Sequence, residues 1–145
     1  LPVVFQSTLI VFTDGGARGN PGPAASGAVL YVLDAAGTPH KKVAEVSRSL
    51  GRTTNNQAEY VAILIGLQKA RELGATHVEL WMDSELAARQ LTGVYRVKNP
   101  ELAERFLEVK NAMIGFSSVK IRHIRREHNI EADAIVNRVL DGEKT

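Results

Sequence analysis

The apolar run Leu9-Ile10-Val11-Phe12 breaks off at Thr13-Asp14, and the stretch that follows, Gly15-Gly16-Ala17-Arg18-Gly19-Asn20-Pro21-Gly22-Pro23, is rich in turn formers. An apolar run bounded by Gly and Pro is the pattern of a buried strand. It sets a carboxylate, Asp14, at the strand mouth, held by core packing and open to solvent. An Asp in that place also serves as an ordinary turn residue. Three further isolated carboxylates bear on the choice.

Beyond the first turn, Ala28–Leu33 reads as a second strand and Lys42–Leu50 as a third, more exposed one. Gly22–Gly27 and Asp34–Pro39 are the expected hairpin links. A helix begins at Asn55, the expected N-cap, and ends at Gly74; its run from Ala58 to Leu73 is apolar almost all round, so it should pack deeply. His77–Met82 is a short strand that ends, like the first, on an acid, Asp83. Ser84 caps a short helix to Leu91, and Asn99-Pro100-Glu101 opens another, whose Leu102, Phe106, Val109 and Met113 form one stripe. Val119–Ile124 is the last strand and Glu131–Leu140 the last helix. Three hairpin strands followed by helix, strand, helix, helix, strand, helix predict an α/β fold. Its mixed sheet should carry helices on both faces.

At 145 residues the chain is expected to form one domain over 8–141, with an extension at 1–7 and a tail at 142–145. Without cysteine, disulfides, thiolate metal sites and Cys nucleophiles are excluded. No apolar run approaches the roughly 18 residues of a membrane span. Leu1–Phe5 is too short for a secretory signal, so no membrane partner and a cytoplasmic location are expected. A formal charge of +2 permits an anionic partner without demanding one.

Asp14 and Asp83 each follow an apolar strand. If those strands are parallel neighbours, both acids stand at one carboxyl edge, where open sheets bind ligands. Glu59 and Asp133 fall early in helices, where the dipole and free N–H groups tolerate negative charge. The four lie tens of residues apart, so only folding can gather them. Clustered carboxylates raise one another's pKa unless a cation compensates. Oxygen donors without Cys suit Mg²⁺ or Mn²⁺ rather than Zn²⁺. Two such ions about 4 Å apart would stabilise the attacking and leaving oxygens of phosphoryl transfer.

The blocks Asp14–Pro23, Arg52-Thr53-Thr54-Asn55-Asn56-Gln57-Ala58-Glu59, Met82-Asp83-Ser84 and Asn129-Ile130-Glu131-Ala132-Asp133, in that order over most of the chain, resemble those of type 1 ribonuclease H. The resemblance implies a ribonuclease H-like five-stranded mixed sheet in which strand 2 is antiparallel. It also implies hydrolysis of the RNA strand of an RNA–DNA hybrid by a two-metal-ion mechanism, leaving 5′-phosphate and 3′-hydroxyl ends. The metal set carried over is Asp14, Glu59, Asp83 and Asp133, holding two Mg²⁺, with Mn²⁺ as the alternative. Asn20, Asn55 and Gln57 fall where the family contacts backbone and 2′-hydroxyls, and Arg52 and Thr54 where it holds a DNA phosphate. Gly15, Gly16 and Ser84 complete the implied substrate contacts. A monomer is expected.

Two departures stand out. Many members carry an extra helix and a basic loop between the third and fourth blocks, and Asp83 to Asp133 is too short for both. The segment Thr92–Lys98 is only modestly basic, so a compact form without the protrusion is expected, with more salt-sensitive binding. The family also often places a mobile His before its fourth carboxylate. Arg126 resembles the Arg that replaces it in compact members. His123 is the second candidate, although its strand parity with Val119 and Ile121 favours a partly buried side chain. The rival readings are a non-catalytic nucleic-acid-binding module, an integrase or junction resolvase of the same fold, and a nuclease that also cuts double-stranded RNA.

Overall fold

The first apolar run does form a strand, β1, but it spans Thr8–Ala17 in the computed structural model, which describes residues 8–143. The expected extension at 1–7 and the end of the expected tail lie outside the described residues. Asp14 is therefore inside a strand on one side only. Toward β2 (Gly22–Leu33) the antiparallel register continues past it, from Asp14↔Gly27 to Ala17↔Ala24. Toward β4 (His77–Met82) the parallel ladder stops at Thr13↔Met82, one residue before it.

The link expected at Gly22–Gly27 is instead the first half of β2, and the turn shrinks to Arg18–Pro21. Small residues mark this stretch because a helix lies against it. A Cβ on Gly27 would sit 2.8 Å from Cγ2 of Ile135, and Ala24, Ala25 and Ser26 are buried. The third strand, β3 (Pro39–Thr53), is longer at both ends than its alternation suggests. Cross-strand hydrogen bonds to β2 carry it past the patterned part. Its register breaks at three places, and most of its residues are exposed.

The sheet order is β3-β2-β1-β4-β5, with β5 at Ser118–His123. The β1–β2 and β2–β3 pairs are antiparallel, and β1–β4 and β4–β5 parallel. Side chains alternate across it. Leu9, Val11, Ala28, Leu30, Val78 and Leu80 join the main core with α1 (Asn55–Glu72), α2 (Glu85–Leu91) and α3 (Pro100–Ile114). On the opposite face Val29 and Ala25 meet Ala132, Ile135, Val136 and Leu140 of α4 (Ile130–Glu143). This is the five-stranded mixed sheet with helices on both faces that the element order predicts. A single-turn 3-10 helix, Arg126–His128, joins β5 to α4.

Helix ends follow the capping chemistry with one change. Ser84 and Asn99 accept from Ala87 N–H and Leu102 N–H, as expected. The cap of α1 is Thr54, whose hydroxyl accepts from Gln57 N–H, rather than Asn55. Asn55 is drawn off to β1, where its Oδ1 accepts from Ala17 N–H at 3.2 Å. Between α2 and α3 there is no further helix. No helix among the described residues is long and apolar enough to cross a membrane.

The first turn of α1 presses on β1 at Gly15, where a Cβ would lie 2.2 Å from the carbonyl carbon of Ala58 and 2.4 Å from Glu59 N. Backbone on both sides cannot yield. At Gly16 the nearest atom is 3.5 Å away, an ordinary contact. Gly15→Ala is expected to destabilise the protein by about 3 kcal/mol and Gly16→Ala by less than about 1. Equal losses in chemical denaturation would contradict this packing.

Candidate active site

Two strand ends and two helix starts converge on a cleft of about 420 Å³. Asp14 comes from β1, Asp83 from the residue after β4, Glu59 from the second turn of α1, and Asp133 from the first turn of α4. All four line it, with Gly15, Gly16, Arg18, Asn55, Arg126 and Asn137 among their neighbours. Carboxylate oxygens of Asp14, Glu59 and Asp83 lie within 4.8 Å of one another. Asp14 and Glu59 are buried, each 8% exposed.

Such a group resists ionisation. The Asp14 carboxyl is pushed up to about 8, first by burial, then by the charges of Asp83 and Asp133. Burial likewise drives Glu59 well above the usual carboxylate range, with Asp14 and Asp83 adding to it. Gly15 N–H and the positive charge of Arg126 act the other way. Three convergent oxygens, two of them held back from ionising, fit a hard divalent cation, which would remove the repulsion.

Three of the four carboxylates are also held from behind. Gly15 N–H donates to Glu59 Oε1 at 2.8 Å, across the close strand–helix contact. Asn137, one turn along α4, donates to Asp133 Oδ2 at 3.3 Å. Asp83 is held by Asn129, whose Nδ2 donates both to Asp83 Oδ2 at 3.0 Å and to the carbonyl of Thr13 at 2.9 Å. Asn129 is 1% exposed, and its Oδ1 is buried without a hydrogen-bond partner. Sequence reasoning did not single out Asn129, Arg18 or Asn137. The available signal for Asn129 was a polar residue between a strand and an acid-bearing helix, which reads equally well as a cap; Arg18 in a turn and Asn137 within α4 offered none.

The structure separates the other expected site residues. Asn20, Thr54 and Gln57 line a second cleft of about 190 Å³ together with the start of α3. It is tied to the first where Asn20 Oδ1 accepts from Asn55 N–H at 3.0 Å. Gln57 Oε1 accepts from Arg105 Nε at 3.0 Å. The side-chain carbonyl oxygens of Asn20, Asn55 and Gln57 therefore all accept from protein donors. Arg52, Ser84 and His123 line neither cleft. Arg52 is exposed at the end of β3, and Ser84 is engaged as the α2 cap.

His123, expected to be partly buried, is exposed. It ends β5, which has no further strand beside it among the described residues. It lines a groove against α2 with Glu85 and Arg89, and its Nε2 lies 3.3 Å from the carbonyl of Asp83. Arg126, by contrast, is on the carboxylate cleft.

Comparison with known proteins gives a consistent result. The sequence family described as "Reverse transcriptase-like" matches residues 12–139. The chain is 41% identical over 130 residues to ribonuclease HI of Halobacterium salinarum, covering 90% of this chain and 63% of that one. It is 37% identical over 134 residues to a bifunctional protein of Mycobacterium tuberculosis, covering 92% of this chain and 35% of that protein. The chain thus spans under two thirds of these relatives' lengths. Among solved structures it is similar to LC11-RNase H1 in complex with RNA/DNA hybrid, with 40% identity and a TM-score of 0.85, covering 94% of this chain and 99% of that one.

A carboxyl raised above its unfolded value stabilises the fold while protonated. That stability is complete below about pH 4 and is lost as pH rises toward about 8. In chelator, wild-type protein is expected to lose melting temperature between about pH 5 and about pH 9, with Asp14→Asn losing about 5 °C less over the same interval. Scanning calorimetry at both pH values checks this, and parallel losses in the two proteins would refute the clustered charge.

Proposed function

The chain belongs to the type 1 ribonuclease H family, and on that premise we propose that it hydrolyses the RNA strand of RNA–DNA hybrids, leaving 5′-phosphate and 3′-hydroxyl ends. The observation that carries the reading is the convergence of Asp14, Glu59 and Asp83 within 4.8 Å, with Asp133 on the same cleft. These four would hold two divalent ions, Mg²⁺ or Mn²⁺. When bound, the ions supply Lewis-acid stabilisation of the attacking and leaving oxygens of a phosphodiester hydrolysis.

The chain's own groups do the rest. Gly15 N–H keeps Glu59 turned into the cleft, and Asn129 keeps Asp83 there. Side-chain positions fixed in advance save ordering entropy when substrate arrives. Asn20, Asn55 and Gln57 present amide donors, which suit 2′-hydroxyl, sugar and base-edge acceptors and so favour an RNA strand. Thr54 and the exposed Arg52 suit a phosphate of the DNA strand, which is read by charge and shape. Arg126 places a cation beside Glu59, where it favours the ionised carboxylate and helps product leave. With only the modestly basic segment Thr92–Lys98 between α2 and α3, binding should be salt-sensitive.

Strand-labelled RNA–DNA hybrid, double-stranded RNA and double-stranded DNA, each with Mg²⁺, Mn²⁺ or chelator, decide the matter. Cleavage of the hybrid's RNA strand is expected with metal, and a loss of at least about 100-fold in Asp14→Asn. Cleavage of double-stranded DNA, or an active Asp14→Asn, would overturn the reading. Arg126→Ala is expected to lower turnover more than His123→Ala, since only Arg126 lines the carboxylate cleft. The reverse ranking would transfer the role to His123.

A further inference from the structure

The carboxylate cleft is lined by two cations, Arg126 and Arg18, and only Arg126 has a part in the reading above. Arg18 leaves the β1–β2 turn beside α4. Its backbone is fixed: its N–H donates to the carbonyl of Pro23 at 2.8 Å, and its own carbonyl lies where a Cβ on Gly22 would be, 2.2 Å away. Its guanidinium is not fixed in the same way. One nitrogen meets Asp141 at 2.7 Å and the other meets Asn137 Oδ1 at 3.5 Å. Asp141 is 68% exposed and Arg18 31% exposed, and an ion pair so open to water holds weakly.

We propose that Arg18 binds a backbone phosphate of the strand drawn into the carboxylate cleft, exchanging Asp141 for it. This rests on the reading of the cleft as a site for nucleic acid. A polyanion approaching four carboxylates meets repulsion that must be offset beside the cleft, and a guanidinium on rigid backbone at its rim offsets it. The planar fork that spans Asp141 and Asn137 matches two oxygens of one phosphate. Asp141 keeps the fork at the rim in the absence of substrate and competes with phosphate for it. Asn137 touches both Arg18 and Asp133, so the phosphate contact and the fourth carboxylate share one support.

Steady-state cleavage of a labelled RNA–DNA hybrid across a salt series tests this in wild type, Arg18→Ala, Arg18→Lys and Asp141→Asn, with melting temperatures alongside. Arg18→Ala is expected to raise KM about tenfold at low salt with kcat within about twofold, and to reduce the slope of log KM against log salt by about one. Arg18→Lys should recover the salt slope but only part of the KM, because the fork is lost. Asp141→Asn should lower KM by about threefold, because the competitor for Arg18 has gone. An Arg18→Ala protein with unchanged KM and salt slope, or Asp141→Asn and Arg18→Ala shifting KM in the same direction, would reduce Arg18 to a tie between the turn and α4. Failure of wild type to cleave the hybrid would overturn the functional reading, and this inference with it.

Discussion

Four carboxylates gathered in a partly dry cleft are the constraint on which the rest of the structure depends. Burial alone disfavours their ionised forms, and proximity adds repulsion. The fold meets this with backbone rather than with a basic partner at every acid. Gly15 gives up its side chain so that α1 can approach β1 closely enough for its N–H to reach Glu59. The ladder between β1 and β4 ends at Thr13↔Met82, so Asp14 and Asp83 emerge side by side where the two strands part. Asn129 bridges that fork by donating to the Thr13 carbonyl and to Asp83 at once. Strand, helix and turn thus agree on one place for negative charge, where a hard cation would offset the repulsion.

Much of this was legible in the residues. Element order gave the sheet class, the two Asp after apolar strands gave the edge, and Ser84 and Asn99 announced their helices. What stayed hidden had one physical cause: small residues read the same whether they turn or pack. Gly22–Gly27 looks like a loop in isolation. It is a strand because it pairs with β1 and β3, and Gly27 is small because Ile135 of α4 lies against it. Asn55 reads as a cap, yet Thr54 takes that role because Asn55 is needed by Ala17 N–H, a long-range demand with no local trace. His123 has the parity of a buried residue, but parity says nothing about whether an edge strand has anything to be buried against.

The site residues divide along the same line. Asp14 and Asp83 stand out as acids directly after apolar strands, whereas Glu59 and Asp133, on helices, are marked only by the resemblance of their blocks. Arg18, Asn129 and Asn137 were passed over because polar residues near turns and on helices are common, and their partners lie up to 119 positions away in sequence. A supporting network of this kind is a property of the assembled fold. It ties the first turn of the chain to its last helix through Arg18, Asn137 and Asp133, and so makes the cleft sensitive to changes well outside it.

The two borders of the sheet carry a different consequence. β3 is long and exposed, but its register with β2 slips three times, and it bears Lys41, Lys42 and Arg48. β5 on the far side is only six residues long, with Lys120 and Arg122. Neither border offers a flat, uncharged template to a second chain. Among the described residues no further strand pairs with either margin, so charge and irregular register, rather than a guarding element, are what discourage edge-to-edge pairing there.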